Sequence, residues 1–197
     1  MHRLIRLACL LSMPLCSCVT DSVYAGPIAV DVKFDAVDSS LRGLSVGYAG
    51  ELESNQRWIG LVEVTHVTDD SEELAITTVS TGTRYNFVRS ESVELGPRFD
   101  LGLGSADLDR FRNRNELITL GIAVAAELRL LTHVSLYAQA GYRGYFDVTD
   151  PTTCRDGSTS KSTGQGTCSH HGGIAHANDQ IGDSSGFELS VGMRVRF

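Results

Sequence analysis

The chain has 197 residues, with 24 acidic side chains against 17 basic ones and a net charge of −7. That length fits one domain with at most an appendage, and the negative balance removes the electrostatic case for a nucleic-acid partner. Hydrophobic content of 42% with 20 glycines and 4 prolines suits a sheet with tight turns, and past the N-terminus no run of about 18 apolar residues offers a membrane-spanning helix.

The first 25 residues read as an export leader. Arg3 and Arg6 form a basic start, residues 7–15 an apolar stretch, and Val23-Tyr24-Ala25 a small-residue cleavage pattern before Gly26. A rival reading takes Leu15-Cys16-Ser17-Cys18 as a lipoprotein-type signal with a lipid on Cys18. The predicted organisation is a signal peptide over 1–25 and one domain over 26–197. Cys9, Cys16 and Cys18 fall in the leader. Cys154 and Cys168 remain, in a polar loop of an exported chain, and that context favours a disulfide.

Eight segments then alternate with a period of two, the signature of a strand with one apolar and one polar face. The first carries Ile28, Val30, Val32 and Phe34 against Asp31 and Lys33. The second carries Leu44, Val46, Tyr48 and Leu52 against Ser45 and Glu51. The third runs through Trp58, Val62 and Val64 with Glu63 opposite. The fourth begins Leu74, Ile76 and ends Thr83, Tyr85, Phe87, so its parity changes and a β-bulge is expected between Val79 and Gly82. The fifth sets Val93, Leu95, Phe99 and Leu101 against Glu94, Arg98 and Asp100. Pro97 is a difficulty there, since it removes a ladder donor.

The sixth is the most regular, with Ile118 to Leu130 facing one way and Glu127 and Arg129 the other. The seventh sets Val134, Leu136, Ala138 and Tyr142 against Ser135, Tyr137 and Arg143. The eighth alternates Phe187, Leu189, Val191, Met193, Val195 and Phe197 with Glu188, Arg194 and Arg196. A helix over residues 116–130 competes on composition, but the strict period of two opposes it. Short turns near residues 53–57, 89–92 and 131–133 alternate with links that read as longer and more polar, the longest being 149–185. Such asymmetry is expected of a transmembrane barrel.

The fold class is therefore all-β: an eight-stranded antiparallel up-and-down transmembrane β-barrel. Its polar faces are expected to form an interior charge network. The acidic members are Asp31, Glu51, Glu63, Glu94, Asp100, Glu127 and Glu188. The basic members are Lys33, Arg84, Arg98, Arg129, Arg143, Arg194 and Arg196. Eight strands leave an interior that side chains fill, and buried charges there must pair, so a wide pore is excluded. Aromatic girdles are expected from Trp58, Tyr85, Phe87, Phe99, Tyr142, Phe146 and Phe197.

From residue 28 to Phe197, and most of all in the last hairpins, the chain resembles the small eight-stranded bacterial outer-membrane barrels, the group of the OmpA transmembrane domain, OmpX and the opacity-type adhesins. The resemblance implies an outer-membrane location with the long links facing outward, and contact with lipid and lipopolysaccharide. It also implies that the barrel-assembly machinery reads Phe187, Leu189, Val191, Met193, Val195 and Phe197 as an assembly signal. No peptidoglycan-binding domain of the OmpA type is expected after the last strand. The implied role is structural or adhesive, with an external ligand at the loops.

Candidate chemistry is sparse. No cofactor is expected. No metal site is expected either, and His170, His171 and His176 are weak candidates whose spacing matches no closed zinc pattern. The enzymatic alternative is a lipid A-modifying barrel. His133-Val134-Ser135 resembles a deacylase His-x-Ser motif, but Leu136 stands where that motif has Asn, and the position is a turn on the wrong side. His66 with Asp69 and Asp70 is a further acid–base candidate. A soluble periplasmic ligand-binding barrel is the third reading.

Overall fold

The computed structural model describes residues 21–34, 37–52, 57–71, 73–109, 111, 114–160 and 167–197. Twelve strands occur among them: β1 Asp21–Lys33, β2 Asp38–Glu51, β3 Trp58–Thr68, β4 Leu74–Tyr85, β5 Val88–Arg89, β6 Val93–Leu108, β7 Asn115–Arg129, β8 Val134–Asp147, β9 Thr152–Cys154, β10 Thr159–Ser160, β11 Ile174–His176 and β12 Ser184–Arg196. Eight of these, β1 to β4, β6 to β8 and β12, form a closed antiparallel ring. Each pairs with its sequence neighbour in the ring, and β1 closes on β12 with Ser22 opposite Arg196 and Val30 opposite Glu188. Closure leaves no open edge, the condition for a sheet to stand in lipid.

The strands outrun the alternating segments that announce them. The 16 residues of β6 extend about 53 Å at ~3.3 Å per residue. With a tilt near 40° they rise about 40 Å, well above an apolar band of about 25 Å. The extra length is taken from the links. Residues 34–37, 69–73 and 109–114 are as short as the turns at the other end, and only residues 148–183 form a long connection. The expected asymmetry of loops therefore rests on one link.

Excess length also changes which face is apolar. Towards the end where β1 begins and β12 finishes, the outer face is oily: Val124, Ile122, Leu189, Val191 and Met193 are each about half exposed. Towards the long-loop end the arrangement reverses. Val30, Val32, Phe34, Leu41, Val67, Leu74, Ile76, Leu117 and Ile181 are buried together inside the barrel. The outward positions of β1 there, Asp31 and Lys33, are polar, while Phe146 and Val148, at and just past the end of β8, stay apolar and exposed.

β4 crosses this boundary. Leu74, Ile76, Thr78, Ser80 and Arg84 all point inward, and the registers to β3 and β6 run without a shift. The bulge expected at Val79 to Gly82 is absent. Parity is constant, and it is the polarity of the two faces that switches.

Pro97 also finds its place. The β4–β6 ladder stops at Arg84 opposite Arg98, and pairing resumes with Val88 opposite Leu95. Pro97 falls in the gap, where no strand on that side needs its missing N–H. Most of the predicted leader lies outside the described residues, but residues 21–25 belong to β1.

Candidate functional site: a charged interior beneath a folded loop

Two assemblies of polar side chains stand out. The first fills the barrel below the apolar plug. Its lower layer lies near the start of β1 and the end of β12. Arg84 Nη2 donates to Glu94 Oε2 at 2.9 Å and to Glu127 Oε2 at 3.1 Å. Arg194 Nη1 donates to Glu127 at 2.7 Å, and Arg196 Nη2 to the other Glu127 oxygen. Arg129 lies 3.6 Å from Glu94, and Arg89 lies 3.6 Å from Glu51.

The upper layer is smaller and drier. Arg98 Nη2 donates to Glu63 at 3.0 Å and its Nε lies 3.3 Å from Asp100. Arg143 pairs with Asp100 at 2.7 Å and with Glu188. Gln139 bridges, donating to Glu188 at 2.9 Å and accepting from Arg98. Tyr24 and Tyr137 meet edge to face between the layers, with ring centroids 5.1 Å apart. The space left over is a cavity of about 20 Å³ lined by these residues, room for a water molecule.

Asp31 and Lys33, expected inside, are on the outer face. Ser40 donates to Asp31 at 2.6 Å, and Lys33 and Asp38 form a loose pair with more than 70% of each side chain exposed. Their end of β1 belongs to the upper barrel, where the inward positions are the apolar ones. The other twelve predicted charges line the interior. Arg89 joins them although sequence reasoning missed it, because two-residue β5 lies in a turn with no alternation to read. Tyr24 was missed because it falls in the predicted leader.

The second assembly is the long loop. β9 pairs with β10 on one side and β11 on the other. Cys154 and Cys168 form the disulfide, with Cα atoms 5.4 Å apart. Asp156 Oδ1 accepts from the amide and hydroxyl of Ser158 at 3.0 and 2.6 Å, and its other oxygen is 2.7 Å from His171 Nδ1. These contacts, led by the Ser158 hydroxyl, hold the Asp156 carboxyl down to about 2. The base is zipped: Thr152 Oγ1 donates to Asn178 O at 2.8 Å, and Gln180 Nε2 to Thr149 O at 2.7 Å.

The catalytic candidates do not converge. His66 Nδ1 contacts Thr77 Oγ1 at 2.9 Å on the outer face. Asp69 closes its own turn, accepting from Leu74 N and Ser71 Oγ. Ser135 is buried and accepts from Arg196 at 2.9 Å, while His133 is exposed. His171 is held by Asp156, and no metal-binding group of three or more His, Cys, Asp or Glu occurs among the described residues.

The sequence family described as a domain of unknown function, DUF3761, matches residues 150–177, which is the disulfide-tied loop and no part of the barrel wall. No curated protein matches the sequence. Among solved structures, Neisserial surface protein A superposes with a TM-score of 0.58 at 19% identity, over 90% of this chain and 97% of its own. Ail, the attachment invasion locus protein of Yersinia pestis, gives 0.51 at 15% identity, over 90% and 98%. Ail has also been solved in complex with the heparin analogue sucrose octasulfate. The closed ring, its oily outer band and these likenesses agree: the chain has the fold of the small eight-stranded outer-membrane barrels.

Proposed function

We propose that this is a bacterial outer-membrane surface protein whose long loop faces the exterior and carries recognition of an external ligand, on a barrel that serves as a filled, rigid support. The observation that carries this reading is the loop itself. A disulfide-tied, three-stranded unit stands on a plugged wall, the usual arrangement of a binding loop on a scaffold. Its match to a family of its own supports a unit with a role separate from the barrel's. The attachment named for Ail and its heparin-analogue complex make surface glycans a reasonable first ligand class to test.

The oily band meets outer-membrane lipid and lipopolysaccharide. The alternating C-terminal strand is what the barrel-assembly machinery reads, and an export leader brings the chain there. Conduction is disfavoured by a cavity of about 20 Å³. A lipid A-modifying role has no Ser–His pair among the described residues to support it, and a soluble barrel would leave the band in water.

The test is fractionation with a heat-modifiable gel shift, followed by protease treatment of intact cells. The expected result is a barrel in the outer-membrane fraction, cut within residues 148–183 from outside. Recovery from the soluble periplasm sinks the membrane reading. A loop cut only after the outer membrane is opened sinks the orientation.

A further inference from the structure

A leader cut after Ala25 would remove residues 21–25, and these are not spare chain. β1 pairs along this stretch with both neighbours: Asp21 to Ala25 lie opposite Gly50 to Val46 on β2, and Ser22 to Ala25 opposite Arg196 to Met193 on β12. Ser22 is fully buried. It donates to Ala49 O at 2.9 Å and accepts from Arg194 Nε at 2.7 Å. The amide of Phe197 donates to Asp21 O at 3.0 Å.

Tyr24 is 4% exposed and packs on Tyr137 beside the cavity of about 20 Å³ between the two charged layers. Its cross-strand partner is Gly47, where any Cβ would stand 2.2 Å from the Tyr24 ring. A glycine socket shaped to a side chain is a poor fit to a side chain that is discarded. Without residues 21–25, facing edges of β2 and β12 would stay unpaired over about a third of the seam. An open edge of unsatisfied backbone groups is not tolerated in hydrocarbon.

We propose that the leader is cut ahead of Asp21, within or just after Cys16-Ser17-Cys18-Val19-Thr20, and that residues 21–25 remain as the first part of β1. One peptide bond is hydrolysed there. Water adds across it, leaving a carboxylate on the leader and an amine on the barrel. Small residues at Cys16, Ser17 and Cys18 suit a cleavage pattern at least as well as Val23-Tyr24-Ala25. The inference rests on the export reading above.

The experiment is N-terminal sequencing and intact-mass measurement of the protein extracted from the outer-membrane fraction. A first residue from Ser17 to Asp21 supports the proposal, whether or not Cys18 carries acyl groups. A first residue at Ser22 or later, Gly26 above all, overturns it while leaving export intact. An uncut Met1 overturns it together with the export reading.

A variant removes dependence on one preparation. Ala25→Phe blocks a cut after residue 25, and the position faces outward, where an aromatic is tolerated. Processing and heat-modifiable mobility unchanged from the parent chain are expected. Accumulation of the uncut chain would overturn the proposal.

Discussion

Glu127 holds three guanidinium groups at once, from Arg84, Arg194 and Arg196. Glu94 in the same layer meets four, Arg84, Arg89, Arg129 and Arg196, but three of them at 3.5 Å or more. Every pair of Glu127 lies within 3.1 Å, and its side chain is almost wholly enclosed. Removing one partner of a buried ion pair leaves an uncompensated charge and costs about 3–5 kcal/mol. Glu127→Ala should therefore lower the unfolding free energy of the refolded barrel by about 3–5 kcal/mol, read as a fall in the urea midpoint. An unchanged midpoint would show that water enters the layer. Asp31→Asn with Lys33→Gln is the counterpart. By alternation alone the pair belongs to the same network, yet both face solvent. The double variant should stay within about 0.5 kcal/mol of the parent in the same titration.

At the level of the element, the disulfide-tied unit of β9 to β11 is separable from the wall, whereas the base of the loop is not: Ile181 is buried in the barrel plug and Asn115 donates to Asp179 O at 2.7 Å. The disulfide closes 14 positions, worth about 3 kcal/mol in the chain-entropy model, and its contacts are internal to the loop. Cys154→Ser with Cys168→Ser should make residues 148–183 quickly cleavable while the barrel keeps its heat-modifiable gel shift. Loss of the shift as well would tie the disulfide unit to the wall.

The Asp156 turn adds a pH dependence. Its carboxyl sits at about 2, below the ordinary carboxylate range, because Ser158 and then His171 favour the charged form. A depressed folded value means the contribution is present above about pH 4 and is lost as pH falls through 2. The Asp156 carboxyl carbon shift should titrate near 2 by NMR, with the Ser158 amide moving alongside. A midpoint near 4 would mean the turn is open.

The whole barrel explains what alternation can and cannot reveal. Period-two patterning identified every wall strand, because a sheet with two different environments writes them on alternate residues. It gave the facing correctly in β7 and β12, whose apolar residues lie in the oily band. It misled in β1, where Ile28 to Phe34 alternate just as cleanly but are the inside of a part that rises clear of the band. It suggested a bulge in β4 for the same reason. The pattern records contrast between faces, and which face is inside depends on height. The interior pairings were out of reach, since Glu63, Arg98 and Arg143 come from different strands and meet through the ring's stagger.

Height is measurable by moving a charge along the outer face. Ile122→Arg places one in the oily band, where the bilayer midplane penalty is about 2–4 kcal/mol. His66→Arg places the same charge higher on the outer face, with Thr77 on one side and Leu44 on the other, where the cost of about 0–1 kcal/mol typical of the interface is expected. Both are read by urea unfolding in vesicles, with detergent micelles as the control that removes the fixed thickness. A large penalty at residue 122 and little at 66 puts the edge of the membrane between them. Equal penalties would mean that the apolar plug inside the upper barrel also lies at membrane depth, and the polarity switch along β4 would then need a cause other than the limit of the lipid.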